Sequence, residues 1–124
     1  MENEGKNGIN GTAPSRLMMY DKELLKGILP IIILKLLSDN GKMYGYQITQ
    51  TVKDLSGDKI LIKEGSLYPA LHKIRDDGFV ESETENIGKR VRHYYFLTEK
   101  GKIESQERES ELRDFLQTIQ KIMG

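Results

Sequence analysis

One predicted helix carries side chains suited to contacting nucleic acid. Leu67, Leu71 and Ile74 form an apolar stripe at helical spacing within the segment 64–77. The residues left on the outward side are small, hydrogen-bonding or positively charged: Ser66, Tyr68, Pro69, His72 and Lys73. Side chains of these types can hydrogen-bond to base edges and neutralise phosphates. We therefore predict that helix 64–77 presents this face to a DNA groove.

A second candidate group lies on a predicted hairpin, near residues 86–92. Between Glu85 and Glu99 the chain carries three basic residues and no acid, and these are Lys89, Arg90 and Arg92. In the whole chain, 19 Lys and Arg balance 19 Asp and Glu, so total charge gives no support to nucleic-acid binding. The prediction depends on this local excess, because a basic hairpin tip can contact phosphates or enter a minor groove. The alternative is that these charges are simply solvated and the tip binds no partner.

Pro69 restricts where helix 64–77 can begin. If Ser66 caps the helix, Pro69 falls in the first turn, where its missing N–H costs no helical bond. If Glu64 caps the helix, one bond is lost or the first turn is distorted. Asp76-Asp77-Gly78 ends the helix in either case.

Two apolar segments precede this helix and are expected to support it. Residues 20–38 form a helix capped by Asp21, which either kinks at Pro30 or gives way there to a second helix. Residues 44–56 form another helix, whose apolar face is expected to include Ile48, Val52 and Leu55, with Tyr46 also in the core. Residues 59–62 are a short apolar stretch that could form an edge strand.

A hairpin and a long helix complete the expected elements. Alternation over 79–85 and the aromatic and branched residues of 91–97 predict two strands, with one of Tyr94 and Tyr95 in the core. Thr98 is a good cap for a final helix. Its apolar stripe consists of Leu112, Phe115, Leu116, Ile119, Ile122 and Met123. Because such a stripe is unstable bare in water, we expect this helix to pair with a second copy of the chain rather than fold back.

Several function classes lack support in the sequence. No nucleophile–base set or phosphate loop is present, so we predict no enzyme, no catalytic residue and no cofactor. With no Cys and two His at no ligand spacing, we predict no metal site. No apolar run is long enough for a membrane span and no signal pattern opens the chain, so a cytoplasmic protein is expected.

The element order predicts a mostly α fold with a small β-hairpin, a winged helix-turn-helix followed by a C-terminal dimerisation helix. We place a flexible N-terminal tail at 1–19, the DNA-binding domain at 20–97 and the dimerisation helix at 98–124. The tail is either a plain leader or a functional arm. A small apolar or aromatic effector is a further partner hypothesis, with Leu17, Met18, Met19, Phe115 and Met123 as lining residues.

Four ordered stretches resemble the PadR-like transcriptional regulators: the apolar first helix, MYGYQI (43–48), GSLYPALHKIRDDGFVES (65–82) and GKRVRHYYFLTEKG (88–101). The resemblance implies a cytoplasmic homodimer that represses genes, of the compact subclass with one C-terminal helix. It implies a DNA face that consists of Tyr44, Gln47, Ser66, Tyr68, Lys73, Lys89 and Arg90. The wing departs from the family pattern, because it is short and has Ile87 and Val91 where polar residues are common. A winged helix that contacts only a protein partner is the alternative function.

Overall fold

The computed structural model describes residues 20–124, so the expectations for the tail and for Leu17, Met18 and Met19 fall outside it. The elements are α1 (Lys22–Asn40), β1 (Met43–Tyr44), α2 (Gly45–Leu55), α3 (Glu64–Asp76), β2 (Val80–Ile87), β3 (Arg90–Leu97) and α4 (Glu99–Met123). The strands form one antiparallel sheet in the order β1-β3-β2. This architecture confirms the predicted fold class, a mostly helical winged helix-turn-helix with a C-terminal helix.

The first helix, α1, is continuous and forms the centre of the core. The Asp21 carboxylate accepts a hydrogen bond from the Glu23 N–H at 2.8 Å, as predicted for the cap. Pro30 lies inside the helix, so the alternative of two separate helices is wrong. The apolar side chains that follow it are fully buried, among them Ile33, Leu34 and Leu37. Burial on several sides offsets the single backbone bond lost at Pro30.

The third strand, β1, was not predicted. It is only two residues long and pairs with β3 through Met43 opposite Tyr95 and Tyr44 opposite Tyr94. So short a strand gives no detectable alternation in the sequence. The prediction of an edge strand at 59–62 is wrong, because this stretch has no regular structure and only packs its isoleucines against the core.

The face of α2 was predicted in part. Ile48 and Val52 are buried, as expected, but Leu55 is 76% exposed and Tyr46 is 66% exposed. Leu55 is the last residue of the helix, and the chain then turns away. Tyr46 is two residues before Ile48, which places it on the opposite side of the helix. The expectation that both residues belong to the core is therefore wrong.

The recognition helix, α3, begins earlier than Ser66. The Lys63 carbonyl accepts the N–H groups of both Ser66 and Leu67 at 2.9 Å, so Lys63 occupies the cap position. The alternative in which Ser66 caps the helix is wrong. Pro69 lies beyond the first turn, and one helical hydrogen bond is missing there.

The hairpin of β2 and β3, here called the wing, has its turn at 88–89. Tyr95 is buried and Tyr94 is half-buried on the opposite face, which confirms the predicted alternation. At the base of the wing the Thr98 hydroxyl accepts the Gly101 N–H at 3.0 Å and donates to the Gly78 carbonyl at 2.7 Å. These two bonds fix the start of α4 against the end of α3.

Gly101 lies where the first turn of α4 packs against the backbone of Phe79, just after α3, and no side chain fits there. A methyl group at this position would overlap the carbonyl oxygen of Phe79. Ser105, one turn later, is also buried, so the beginning of α4 belongs to the same core as α1. Within residues 20–124, no helix is both long and apolar enough to cross a membrane.

Candidate nucleic-acid interface

The outward face of α3 is open to solvent, as the sequence predicts. Ser66, Pro69, His72 and Lys73 are exposed, while the apolar stripe on the other side is fully buried. The face is therefore held in place by core packing and is free to meet a ligand. Four of the five residues expected on this face are accessible side chains.

Tyr68, the fifth residue, is half-buried and packs against the core. A methyl group at Gly45 would overlap the Tyr68 hydroxyl, so the glycine allows α2 and α3 to approach closely. The atoms nearest to Gly45 thus belong to side chains and not to backbone. The ring of His72 lies 6.3 Å from that of Tyr68, on the solvent side.

Lys73 is paired within its own helix. Its ammonium group lies 3.0 Å from Asp77, one turn later, and its side chain is 71% exposed. The Asp77 carboxylate therefore competes with any phosphate for this cation. Pairs this exposed are weak, so the lysine remains available at small cost.

We expect Asp77→Asn to raise affinity for duplex DNA about two- to fivefold at low salt, because it removes one repulsive charge and releases Lys73. Fluorescence anisotropy with a labelled duplex measures this change. Asp114→Asn, an equal charge change on exposed α4, is the control and should leave the affinity unaltered. A lower affinity for Asp77→Asn would contradict the placement of this helix end near DNA.

The tip of the wing carries two exposed cations. Lys89 and Arg90 are exposed, and the ion pairs found within residues 20–124 include neither of them. Ile87 and Val91 beside them are 41% and 57% exposed. The tip is therefore a positively charged, solvent-exposed turn with an aliphatic side chain on each side.

Arg92 occupies a different environment. Its guanidinium carbon lies 4.2 Å from the centre of the Tyr44 ring, and the side chain is half-buried. Its interaction with Tyr94, together with the nearby Glu85, raises the pKa of Arg92. The rings of Tyr44 and Tyr94 meet edge to face at 5.4 Å. Two of the residues assigned to DNA, Tyr44 and Arg92, thus contact each other.

Lys42 was not identified from the sequence, although it is central to this face of the sheet. Its ammonium group lies 2.7 Å from Glu83 and 3.2 Å from Glu85, and 5.1 Å from the centre of the Tyr94 ring. Hydrogen bonds to these two carboxylates raise the pKa of Lys42. Its partners are about 40 residues away in the chain, so only the register of the sheet reveals the contact.

Gln47 is exposed at the start of α2 and has a local role as well. Its side-chain oxygen accepts the Tyr44 N–H at 3.3 Å, which helps to cap the helix. Its amide nitrogen has no partner in the part of the chain that the structure describes, so it can still donate to a phosphate or a base. The helix start therefore holds Gln47 in a fixed orientation.

The apolar stripe of α4 is largely uncovered. Leu112 is half-buried, and the exposed members are Phe115, Leu116, Ile119, Ile122 and Met123. Before this stripe, Glu109 lies 3.3 Å from Lys35 on α1 and 2.7 Å from Arg113. Arg113 and Lys35 lower the pKa of Glu109. The helix is thus attached to the domain at its beginning and projects its apolar end into solvent.

The described residues, 20–124, contain no cluster of three His, Asp or Glu that could hold a metal ion. Of the residues considered for an effector cavity, the two that the structure describes are Phe115 and Met123, and both are exposed. The accessible chemistry consists of hydrogen-bond donors and positive charges on α3 and the wing, and of apolar surface on α4.

A family model described as the transcriptional regulator PadR-like family matches residues 33–107. The matched region includes α2, α3 and the whole wing and ends before the stripe of α4. A curated relative, the negative transcriptional regulator PadR of Bacillus subtilis (strain 168), is 36% identical over 78 residues. That alignment covers 62% of this chain and 42% of the relative.

Solved structures show the same architecture over most of the chain. A transcriptional regulator from Clostridium thermocellum is 27% identical with a TM-score of 0.74, over 81% of this chain and 97% of that one. A PadR family transcriptional regulator from Eggerthella lenta DSM 2243 is 28% identical with a TM-score of 0.70, over 82% of this chain and 86% of that one.

Proposed function

The chain belongs to the PadR-like family of transcriptional regulators, and from this premise we propose that it is a cytoplasmic homodimer that represses genes by binding operator DNA. The family match confirms the prediction of a DNA-binding regulator rather than an enzyme. The residues that contact DNA, the dimer and the direction of regulation belong to the proposal.

The observation that carries the proposal is the joint exposure of the α3 face and the wing tip on one domain. Ser66, His72 and Lys73 on α3 offer donors for base edges in a major groove. Lys89 and Arg90 offer free positive charge for phosphates or for the adjacent minor groove. A helix and a hairpin displayed together in this way can contact neighbouring grooves of one duplex.

The homodimer is supported by the uncovered stripe of α4. Exposure to water is unfavourable for side chains such as Leu116, which is 54% exposed, and Ile122, which is 74% exposed, so covering them with a partner would lower the free energy. None of the stripe residues belongs to the buried core of residues 20–124, so the stripe stays uncovered in a single chain. A second copy supplies a matching stripe across a twofold axis. An apolar or aromatic effector held between the two helices remains a hypothesis.

Repression is supported by the Bacillus subtilis relative, which is named a negative transcriptional regulator. Simple occupancy offers a mechanism for repression, because a dimer bound across promoter DNA would exclude other proteins from it. The alternative function, contact with an acidic protein partner, uses the same wing charges without the α3 face.

A salt titration with random duplex DNA separates the two functions. A DNA-binding dimer should lose affinity steeply as salt rises, with a slope of about −0.9 for each phosphate neutralised. We expect Arg90→Ala to lower the magnitude of this slope by about one for each wing that contacts a phosphate. Its affinity loss would be about 1–3 kcal/mol if Arg90 reads a base edge, and less for a phosphate alone.

Lys121→Ala is the control, since it removes one charge near the exposed end of α4. Absence of any salt-dependent binding to duplex DNA by the wild-type protein would reject the proposed function. An unchanged slope and affinity in Arg90→Ala would exclude only the wing tip from the interface.

A further inference from the structure

The outer face of the sheet carries a cluster of charged and aromatic side chains that connects the wing to the start of α2. This outer-face cluster consists of Lys42, Tyr44, Glu83, Glu85, Arg92 and Tyr94. The register explains why they meet, because Tyr94 pairs with both Tyr44 and Glu83, and Arg92 pairs with Glu85. Residues directly opposite each other in a sheet share one face.

The distal half of the wing has little other support. Strand β1 pairs only with Tyr94 and Tyr95, so the hairpin from His93 to its tip is two-stranded. Isolated two-stranded hairpins are marginally stable and twist strongly. Without a brace, the direction of the tip relative to α3 would vary.

Arg92 is placed to provide that brace. It is the first residue on this face beyond the reach of β1, and its guanidinium group lies over the Tyr44 ring at 4.2 Å. Tyr44 immediately precedes α2 and is fixed by its N–H bond to Gln47. The stack therefore connects the wing directly to the helix-turn-helix.

Lys42 makes a second connection on the same face. It reaches from the loop before β1 to Glu83 and Glu85 on β2. The single charge of Lys42 offsets one of the two carboxylate charges that would otherwise repel phosphates close to the wing. In contrast, Lys89 and Arg90 at the tip are exposed and make no such connection within residues 20–124.

We propose that Arg92 is a positioning residue of the DNA interface, which holds the wing at a fixed angle to α2 by stacking on Tyr44 and does not itself bind phosphate. The inference rests on the proposed function and reassigns one residue that the sequence placed in contact with DNA. Lysine is a poor replacement for arginine in this role, because its ammonium group is compact and lacks the planar guanidinium that can lie flat on a ring. At a phosphate contact, by contrast, lysine would serve nearly as well.

The test compares Arg92→Lys and Arg92→Ala with Arg90→Lys and Arg90→Ala on one duplex selected from a random pool with the wild-type protein. We expect both Arg92 variants to lose affinity by a similar factor, about two- to fivefold. The salt slope of Arg92→Ala should equal that of the wild type. If Arg90 contacts a phosphate, Arg90→Lys should bind nearly like the wild type, and Arg90→Ala should show a salt slope of reduced magnitude.

Two further readouts separate positioning from a general structural role. In hydroxyl-radical footprints, Arg92→Lys should weaken protection of the segment under the wing and preserve protection under α3, with an unchanged thermal midpoint. In a double-mutant cycle, Tyr44→Leu should remove most of the effect of Arg92→Lys, because the two residues act through one contact.

The inference is overturned if Arg92→Lys binds and footprints like the wild type while Arg92→Ala lowers the magnitude of the salt slope by about one for each bound wing. Additive effects of the Tyr44 and Arg92 changes would also overturn it. If the wild-type protein binds no DNA, the proposed function fails, but amide hydrogen exchange still tests the brace in the free protein. Arg92→Lys should then speed exchange at 84–93, and unchanged exchange would reject the brace.

Discussion

Leu116→Glu is expected to convert the proposed homodimer to a monomer. Leu116 lies within the apolar stripe and is 54% exposed in the single chain, so a dimer formed by α4 would bury it. A carboxylate at this position would be buried without a cation, and twice per dimer because of the twofold axis. We expect the dimer dissociation constant to rise at least about 100-fold, which corresponds to roughly 3 kcal/mol.

Loss of the dimer should also weaken DNA binding, because two linked DNA-binding units bind about 10²–10⁴ times more tightly than a single unit. Sedimentation equilibrium measures the association, and anisotropy with the selected duplex measures the second effect. Gln117→Glu is the matched control, because it adds the same charge next to Leu116 on the side away from the stripe. A tight Leu116→Glu dimer would show that the interface lies elsewhere on the chain.

Gly101→Ala is expected to cause a large loss of stability. The added methyl group would overlap the Phe79 carbonyl oxygen. Because the methyl group is attached to the backbone of α4 and the overlapped atom belongs to the backbone of Phe79, neither side can relax easily. Forcing an extra carbon into such a contact should lower the free energy of unfolding by about 3 kcal/mol. The start of α4 would also shift, which weakens the Thr98 bonds to Gly78 and Gly101.

Urea unfolding at one fixed chain concentration measures this loss, because the stability of a dimer depends on concentration. Gly27→Ala is the control, as Gly27 lies inside α1 with no atom within 4 Å of an added methyl group. That variant should gain about 0.5–1 kcal/mol from helix propensity. Equal stabilities of Gly101→Ala and the wild type would contradict the close approach of α4 to Phe79.

The accessible face of α3 and the basic tip could be predicted because each is a local property of the chain. The stripe of Leu67, Leu71 and Ile74 fixes which side of α3 faces solvent, and the structure buries all three. The excess of Lys and Arg at the hairpin tip is likewise visible from adjacent residues. Periodicity gave less information at helix ends, where it misplaced Tyr46 and Leu55 and left the cap of α3 open.

The outer-face cluster could not be predicted, since it depends on contacts between distant segments. Arg92 looks like a third free charge of the wing until the pairing of Tyr44 with Tyr94 brings the Tyr44 ring beneath it. Lys42 has no distinguishing neighbour in the sequence, and its role follows from the position of Glu83 and Glu85 on β2. Strand register determines both roles, and the two-residue strand β1 gives no sequence signal for it.

The central claim is that two copies of this chain present paired recognition helices and wings to one duplex. A hydroxyl-radical footprint on the selected duplex, combined with the stoichiometry from sedimentation, tests it most directly. We predict two chains per duplex and two symmetric protected segments with centres about one DNA turn, roughly 34 Å, apart. A single protected segment with one bound chain, or no protection at all, would contradict the claim.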